Sequence, residues 1–307
     1  MPARRELFRV AALVLLTGLV PSAPGGGLTV DAVEEIRERV VVDGDCHWGN
    51  VWHFMFQCVY PMMELRLNHP DAELVMDLSV QDEGFRPYIK RLGDPRPENI
   101  HTPVFNVYAQ MLEGAVGKVS YVWGDDAGAQ GRLRLDRALL RPRNKTVWRA
   151  VREWTLHRLQ LHGRFGTAPG CVYVTRYHAK TRVLHEENVL EGVLTEACWP
   201  RPLTVVVMEQ HPYAEQVARM MSTSKVFLER GAAMAFTVFL PAGARLYYID
   251  GDDEDSTWMV TTTELTRITR IAALVEYEDF AEKLHVDVEA VKGALQRTLD
   301  RRGRAEL

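Results

Sequence analysis

The hydrophobic and polar positions divide the chain into short apolar runs of strand length and longer stretches with helical spacing. Glu73-Leu74-Val75-Met76-Asp77-Leu78 predicts a strand, as does Lys118-Val119-Ser120-Tyr121-Val122-Trp123, which Gly124-Asp125-Asp126 closes. Between them, residues 85–92 and 108–112 each suit a helix. The arginine- and glycine-rich stretch 127–143 reads as a long surface connection. Residues 145–161 place Val147, Trp148, Val151, Trp154, Leu156, Leu159 and Leu161 near helical spacing, with Gly163 as the stop. Beyond that point the pattern alternates. It predicts a strand at 171–175, a helix at 186–196, an all-buried strand at 203–208 and a helix at 213–221. A short strand at 226–228, a helix at 231–239 and a strand at 245–249 follow, and helical segments after Thr263 are expected to pack back across the molecule. Apolar strands alternating with helices imply a parallel sheet covered on both faces, and so an α/β fold.

Length and composition narrow this picture. A chain of 307 residues exceeds the size of one typical core, so two units of about 150 residues each are expected. The expected division is 28–150 and 151–275, with a boundary in the region 141–168 and C-terminal helices at 276–307. A net charge of −4, with 37 basic residues against 41 acidic, argues against a broad nucleic-acid face and leaves room for local basic pockets. Arg4 and Arg5 precede an apolar run at 10–20 that ends in Pro21-Ser22-Ala23-Pro24-Gly25-Gly26-Gly27. This fits a secretory signal or short signal anchor over 1–27, and the run falls short of the ~20 apolar residues of a spanning helix. The other reading of residues 8–20 is a buried helix of a cytoplasmic protein. Cys46, Cys58, Cys171 and Cys198 lack metal-ligand spacing, so two disulfides or buried free thiols both stand open. Asn144-Lys145-Thr146 is a glycosylation sequon.

In open parallel sheets, ligands bind beyond the C-terminal ends of the strands. Arg176 follows the strand Val172-Tyr173-Val174-Thr175, and Arg182 lies six residues further on. Glu229 and Arg230 follow Val226-Phe227-Leu228, and Gly231-Ala232-Ala233 then opens the next element. Small residues at a helix start let an anion approach backbone N–H groups, and arginines at neighbouring strand ends can grip a diphosphate. Each of these arginines, taken alone, also suits a solvated surface position.

The same positions resemble glycosyltransferase family 61, which includes plant-type β-1,2-xylosyltransferases and lumenal O-linked N-acetylglucosaminyltransferases. The resemblance is carried by Val172-Tyr173-Val174-Thr175-Arg176, Arg182-Val183-Leu184-His185-Glu186, Glu209, and Tyr213-Ala214-Glu215-Gln216-Val217. It continues through Arg230-Gly231-Ala232-Ala233 and Phe239-Leu240-Pro241-Ala242-Gly243-Ala244. Upstream, Gly49-Asn50-Val51-Trp52-His53-Phe54-Met55-Phe56-Gln57 resembles the family's acceptor-side helix. The chain departs from the pattern at His185, where the family has Asn, and at Arg230, where it has His. It departs again at Gln57, where the family often has Asp.

The resemblance implies a GT-B-like fold: two Rossmann-like domains whose parallel sheets face a central cleft. It also implies a hexosyl- or pentosyltransferase that inverts the anomeric carbon and takes a nucleotide-diphosphate sugar, commonly UDP-linked, as donor. The acceptor is a glycan or a protein hydroxyl, no metal or other cofactor is required, and no nucleic acid is involved. Such a protein works in the lumen of the secretory pathway, with the membrane touched only through an N-terminal anchor. Donor-binding candidates are Arg176, Arg182, Glu186, Glu209, Arg230, Gly231 and Ala232. Inversion needs a general base, and with Gln57 unable to act as one the candidates are Asp77, His53 and Asp82, in that order. Two rival readings are a metal-dependent GT-A-type transferase using Asp250 and Asp252 of Asp250-Gly251-Asp252, and a non-catalytic nucleotide- or glycan-binding relative.

Overall fold

A computed structural model describes residues 38–43, 46, 48, 50–79, 96–103, 105–124, 132–134, 145–161, 170–176, 183–184, 187–229, 231–250, 267–272, 277–278, 283–284 and 286–303. The expected helix at 85–92 lies outside them. The chain begins with β1 (Arg39–Asp43) and a helical run made of α1 (Val51–Phe54), a π-helical turn (Met55–Val59) and α2 (Tyr60–Asn68). Then come β2 (Glu73–Asp77), α3 (Asn106–Val116), β3 (Val119–Val122), β4 (Arg132–Arg134) and α4 (Lys145–Arg158). The stretch expected to be only a surface connection thus contains β4. Its Leu133, flanked by Arg132 and Arg134, is too short a signal to stand out as a strand.

The second half runs β5 (Gly170–Val174), β6 (Val183–Leu184), α5 (Glu187–Cys198), β7 (Leu203–Val206), α6 (Tyr213–Met221) and β8 (Thr223–Glu229). A 3₁₀ helix (Ala232–Phe239) follows, and then β9 (Arg245–Asp250), β10 (Arg267–Ala272), β11 (Tyr277–Glu278), β12 (Lys283–Leu284) and α7 (Val288–Gly303). After Thr263, where helices are expected, the first described element is therefore a strand. The short strand expected at 226–228 spans seven residues.

The fold is α/β with two parallel sheets, ordered β3-β2-β1-β4 and β10-β9-β8-β5-β7. A small third sheet joins β11, β12 and β6. In the C-terminal sheet, β-alternation sends Val172, Val174, Val226, Leu228, Leu246 and Tyr248 to one face. It sends Cys171, Tyr173, Phe227, Tyr247 and Ile249 to the other, where residues of α5 and α7 cover them. Both faces are dry, which is why these strands read as unbroken apolar runs. β7 departs from the all-buried expectation. It pairs only with β5, and Thr204 and Val205 face solvent. An apolar run cannot by itself distinguish a central strand from an edge strand.

Residues Arg37–Leu307 form one compact unit. The large apolar cluster is continuous from Trp48, Phe54 and Met63, through Val151 of α4, to Val217, Phe236 and Tyr248. Arg152 of α4 donates from Nη1 to the carbonyls of Val238 (2.7 Å) and Leu240 (2.8 Å), which anchors the end of the 3₁₀ helix. The cysteines form two disulfides, Cys46–Cys58 and Cys171–Cys198, with Cα separations of 5.6 and 6.0 Å. This settles the open alternative against free thiols. Among the described residues no helix is long and apolar enough to cross a membrane.

Candidate functional site

The strand order locates the site. In chain order the C-terminal sheet reads second, first, third, fourth, fifth, because β7 lies on one side of β5 and β8 on the other. Successive connections leave β5 in opposite directions, which opens a crevice beyond the carboxyl ends of β5 and β8. Thr175 and Arg176 follow β5 there, while Glu229 ends β8 and Gly231-Ala232 starts the 3₁₀ helix.

Arg176 and Gly231 are in direct contact. A Cβ built on Gly231 would overlap Arg176 Nη1 and would lie 3.4 Å from its Cζ. The backbone of Gly231 is extended (φ 174°), so the space for the guanidinium, not an unusual dihedral, accounts for glycine at this position. Arg176 is half-buried, so its side chain is a positioned charge at the crevice.

Beneath it sits a buried acidic cluster. The Tyr173 hydroxyl lies 2.5 Å from Glu229 Oε1 and 3.0 Å from Glu187 Oε1, and Thr175 Oγ1 donates to the same Glu187 oxygen. Glu187 and Glu229 are only 6% and 5% exposed. Their Oε2 atoms have no hydrogen-bond partner among the described residues. Burial pushes the Glu229 carboxyl up to about 7, and the nearby Glu187 adds to the rise. The Tyr173 hydrogen bond and the Arg176 charge act in the opposite direction. Burial and the two carboxylates also push the Tyr173 hydroxyl upward, so it stays protonated at neutral pH.

On the N-terminal side, Asn50 caps α1 by accepting from the N–H groups of Trp52 (3.0 Å) and His53 (3.3 Å). His53 therefore sits in the first turn of a helix that packs against the 3₁₀ helix after β8. It is half-buried, its ring is edge-on to Trp52 at 4.9 Å, and burial lowers its pKa below the usual value. A neutral imidazole at pH 7 follows. Gln57 is buried within the π-helical turn. Asp77, at the end of β2, is fully buried. Its Oδ1 accepts from Ser79 N (2.9 Å), Ser79 Oγ (2.7 Å) and Gly124 N (2.9 Å), which ties the loop after β2 to the end of β3.

Of the other sequence candidates, two fall among the described residues. Glu209 is exposed on a short 3₁₀ turn after the edge strand β7. Asp250 closes β9. Asp82, Arg182, His185, Glu186, Arg230 and Asp252 lie outside the described residues. Gln216 is buried and donates to the His211 carbonyl (2.7 Å), a local tie at the start of α6. Glu187, Glu229 and Tyr173 were not singled out as a group from the sequence. The available signal was the alternation Phe227, Glu229 on one face of an apolar strand, with Tyr173 in register with Phe227 on the neighbouring strand.

The chain shares 10% identity with a glycosyl transferase family 9 protein from Veillonella parvula DSM 2008, covering 85% of this chain and 97% of that one at a TM-score of 0.37. That likeness is too distant to carry any argument. Curated proteins give no significant match. The model of the family described as Glycosyltransferase 61 matches residues 51–247, a span that begins with the helix carrying His53 and ends within β9. Covering well over half of the chain and every described residue of the β5/β8 crevice, that match makes the protein a member of glycosyltransferase family 61.

Proposed function

We propose that the protein is an inverting transferase that moves a sugar from a UDP-linked donor to a hydroxyl of a glycan or protein, with xylose or N-acetylglucosamine favoured. The observation that carries this reading is Arg176 seated against Gly231 at the switch point of the C-terminal parallel sheet. A guanidinium fixed at a strand end, beside the backbone of a glycine, suits a diphosphate and the charge that develops on it as it leaves. Ala232 keeps the approach to the following N–H groups open. In a two-lobed GT-B-like arrangement the C-terminal sheet takes the donor and the N-terminal half the acceptor.

His53 is the base we favour for the acceptor proton. It lies on the helix packed against the 3₁₀ helix of the donor side, and its lowered pKa keeps the imidazole able to accept a proton. The acceptor oxygen attacks the anomeric carbon from the face opposite the diphosphate. Its proton passes to His53, and the bond to the diphosphate oxygen breaks with the electrons going to the leaving group. Because burial depresses the His53 pKa in the free protein, the acidic limb of kcat/KM should fall below the ordinary histidine value of about 6.5. The charge of a diphosphate leaving group is offset here by arginine, so no metal is required. Two disulfides suit an oxidising compartment, in line with work in the secretory pathway lumen.

The decisive experiment is a thermal-shift screen against nucleotide sugars, followed by a transfer assay with and without chelator. A shift with UDP-linked sugars, and chelator-resistant transfer, is the expected result. Loss of transfer with chelator and recovery with manganese would favour the reading based on Asp250 and Asp252. Binding without turnover against a broad acceptor panel would favour a non-catalytic relative.

A further inference from the structure

The acidic cluster under Arg176 has no part in the chemistry described so far, and its geometry is unusual for a purely structural contact. Two carboxyls, Glu187 from the start of α5 and Glu229 from the end of β8, converge on a single tyrosine hydroxyl. A phenol has one proton to donate. When that proton points to Glu229 Oε1, the hydroxyl can only accept from Glu187, and the reverse holds for the other orientation. Two buried carboxyls joined this way, each with a buried Oε2 lacking a partner among the described residues, set negative charges close together, and a proton held on Glu229 relieves this. Among the described residues, the groups facing Glu229 are Tyr173 of β5, Arg176 just after it and Glu187 of α5. With the proton present, the two carboxyls carry one negative charge and Arg176 balances it. Without it, they outweigh the charge of Arg176.

We propose that Glu229, bridged to Glu187 through the Tyr173 hydroxyl, holds a proton that positions and tunes Arg176. Binding of a nucleotide-diphosphate sugar at the β5/β8 crevice is then linked to uptake of a proton by Glu229. This rests on the reading of the crevice as the donor site. A diphosphate adds negative charge above the pair, which makes the doubly ionised state costlier and draws a proton from solvent. By reciprocity, donor affinity falls as pH rises through the titration of Glu229. Glu187 and Glu229 are thus positioning residues, acting on substrate only through Arg176.

The test is isothermal calorimetry on the intact protein with UDP-N-acetylglucosamine and, separately, UDP-xylose. Neither ligand titrates its phosphates near neutrality, because both phosphates are esterified. Titrations in two buffers of different ionisation enthalpy give the number of protons taken up. The wild-type protein should take up a fraction of a proton near neutral pH and bind roughly fivefold more weakly at the alkaline end than at the acidic end. Glu229→Gln, isosteric with the protonated acid, should abolish the uptake, flatten the pH profile and hold the tighter affinity throughout. Tyr173→Phe, which removes the bridge while keeping the ring in the core, should also reduce the uptake. Binding without proton uptake at any pH overturns the proposal while leaving the donor reading intact. Uptake that persists in Glu229→Gln likewise overturns it by placing the proton elsewhere. If neither sugar binds the wild-type protein at any pH, the donor reading itself fails and takes the pair's role with it.

Discussion

Asp77 and Glu229 are the same kind of residue in the same kind of place, yet the structure surrounds them differently. Each is a carboxylate at the C-terminal end of an inner parallel strand, and each is buried. Asp77 lies at the end of β2, one strand away from the β1/β4 reversal of the N-terminal sheet. Its Oδ1 accepts three hydrogen bonds from its own loop and the next. Glu229 lies at the reversal of the C-terminal sheet, where it shares a tyrosine with a second carboxyl and faces an arginine. A strand-end acid with one oxygen taken by three local donors suits the closing of a loop, whereas one held near a positioned cation at a switch point can serve a ligand. Position in the sheet, not residue type, separates the two.

Arg176→Ala offers the strongest test of this contrast. It should lower kcat/KM for transfer by about 10²- to 10³-fold with little change in melting temperature, because it removes charge stabilisation at the diphosphate. Asp77→Ala should do the opposite. Loss of the buried, hydrogen-bonded carboxylate should cost about 3 kcal/mol in denaturant unfolding, with near-normal kcat in the fraction that remains folded. A stable Asp77→Ala protein with a collapsed kcat would break the comparison and restore Asp77 as the base.

Glu229 sharpens the contrast through pH. Its folded pKa of about 7 stands above the ordinary 4.5, so its favourable contribution is complete below about 4.5 and is lost as pH rises through about 7. Relative to Glu229→Gln, the wild-type protein should lose up to about 3 kcal/mol of stability across that window, read from urea midpoints. The smallest effect belongs to Gly231→Ala. Its added Cβ should push the Arg176 guanidinium aside, raising the donor KM by about tenfold and leaving unfolding within about 0.5 kcal/mol of wild type. An unchanged donor KM would show that Arg176 does not need its seat on Gly231.

Much of the fold was legible in the sequence because the C-terminal strands are covered on both faces. Their apolar runs 171–175, 226–228 and 245–249, set between polar turns and helical stretches, suit strands of a covered parallel sheet. The helix at 213–221 and the strands around 73–78 and 119–122 were found for similar reasons. β7 was placed but misjudged in burial, since an edge strand can be as apolar as a central one. β4 was hidden because its pairing with β1 is long-range, and a three-residue segment carries no period of its own.

At the site, the sequence by itself determined the residue types at the strand ends: Arg176 after one strand, Glu229 and Gly231 after another. Such features survive in one dimension because they depend on local order, an apolar run and then a polar residue. Only the tertiary structure decided that β5 and β8 are neighbours with β7 on the far side, which brings Arg176 against Gly231. Only it placed Glu187, Tyr173 and Glu229 within reach of one another. Those contacts join residues 14 and 56 positions apart in the chain. Their meeting depends on strand order and register, which the hydrophobic pattern of a single strand does not encode.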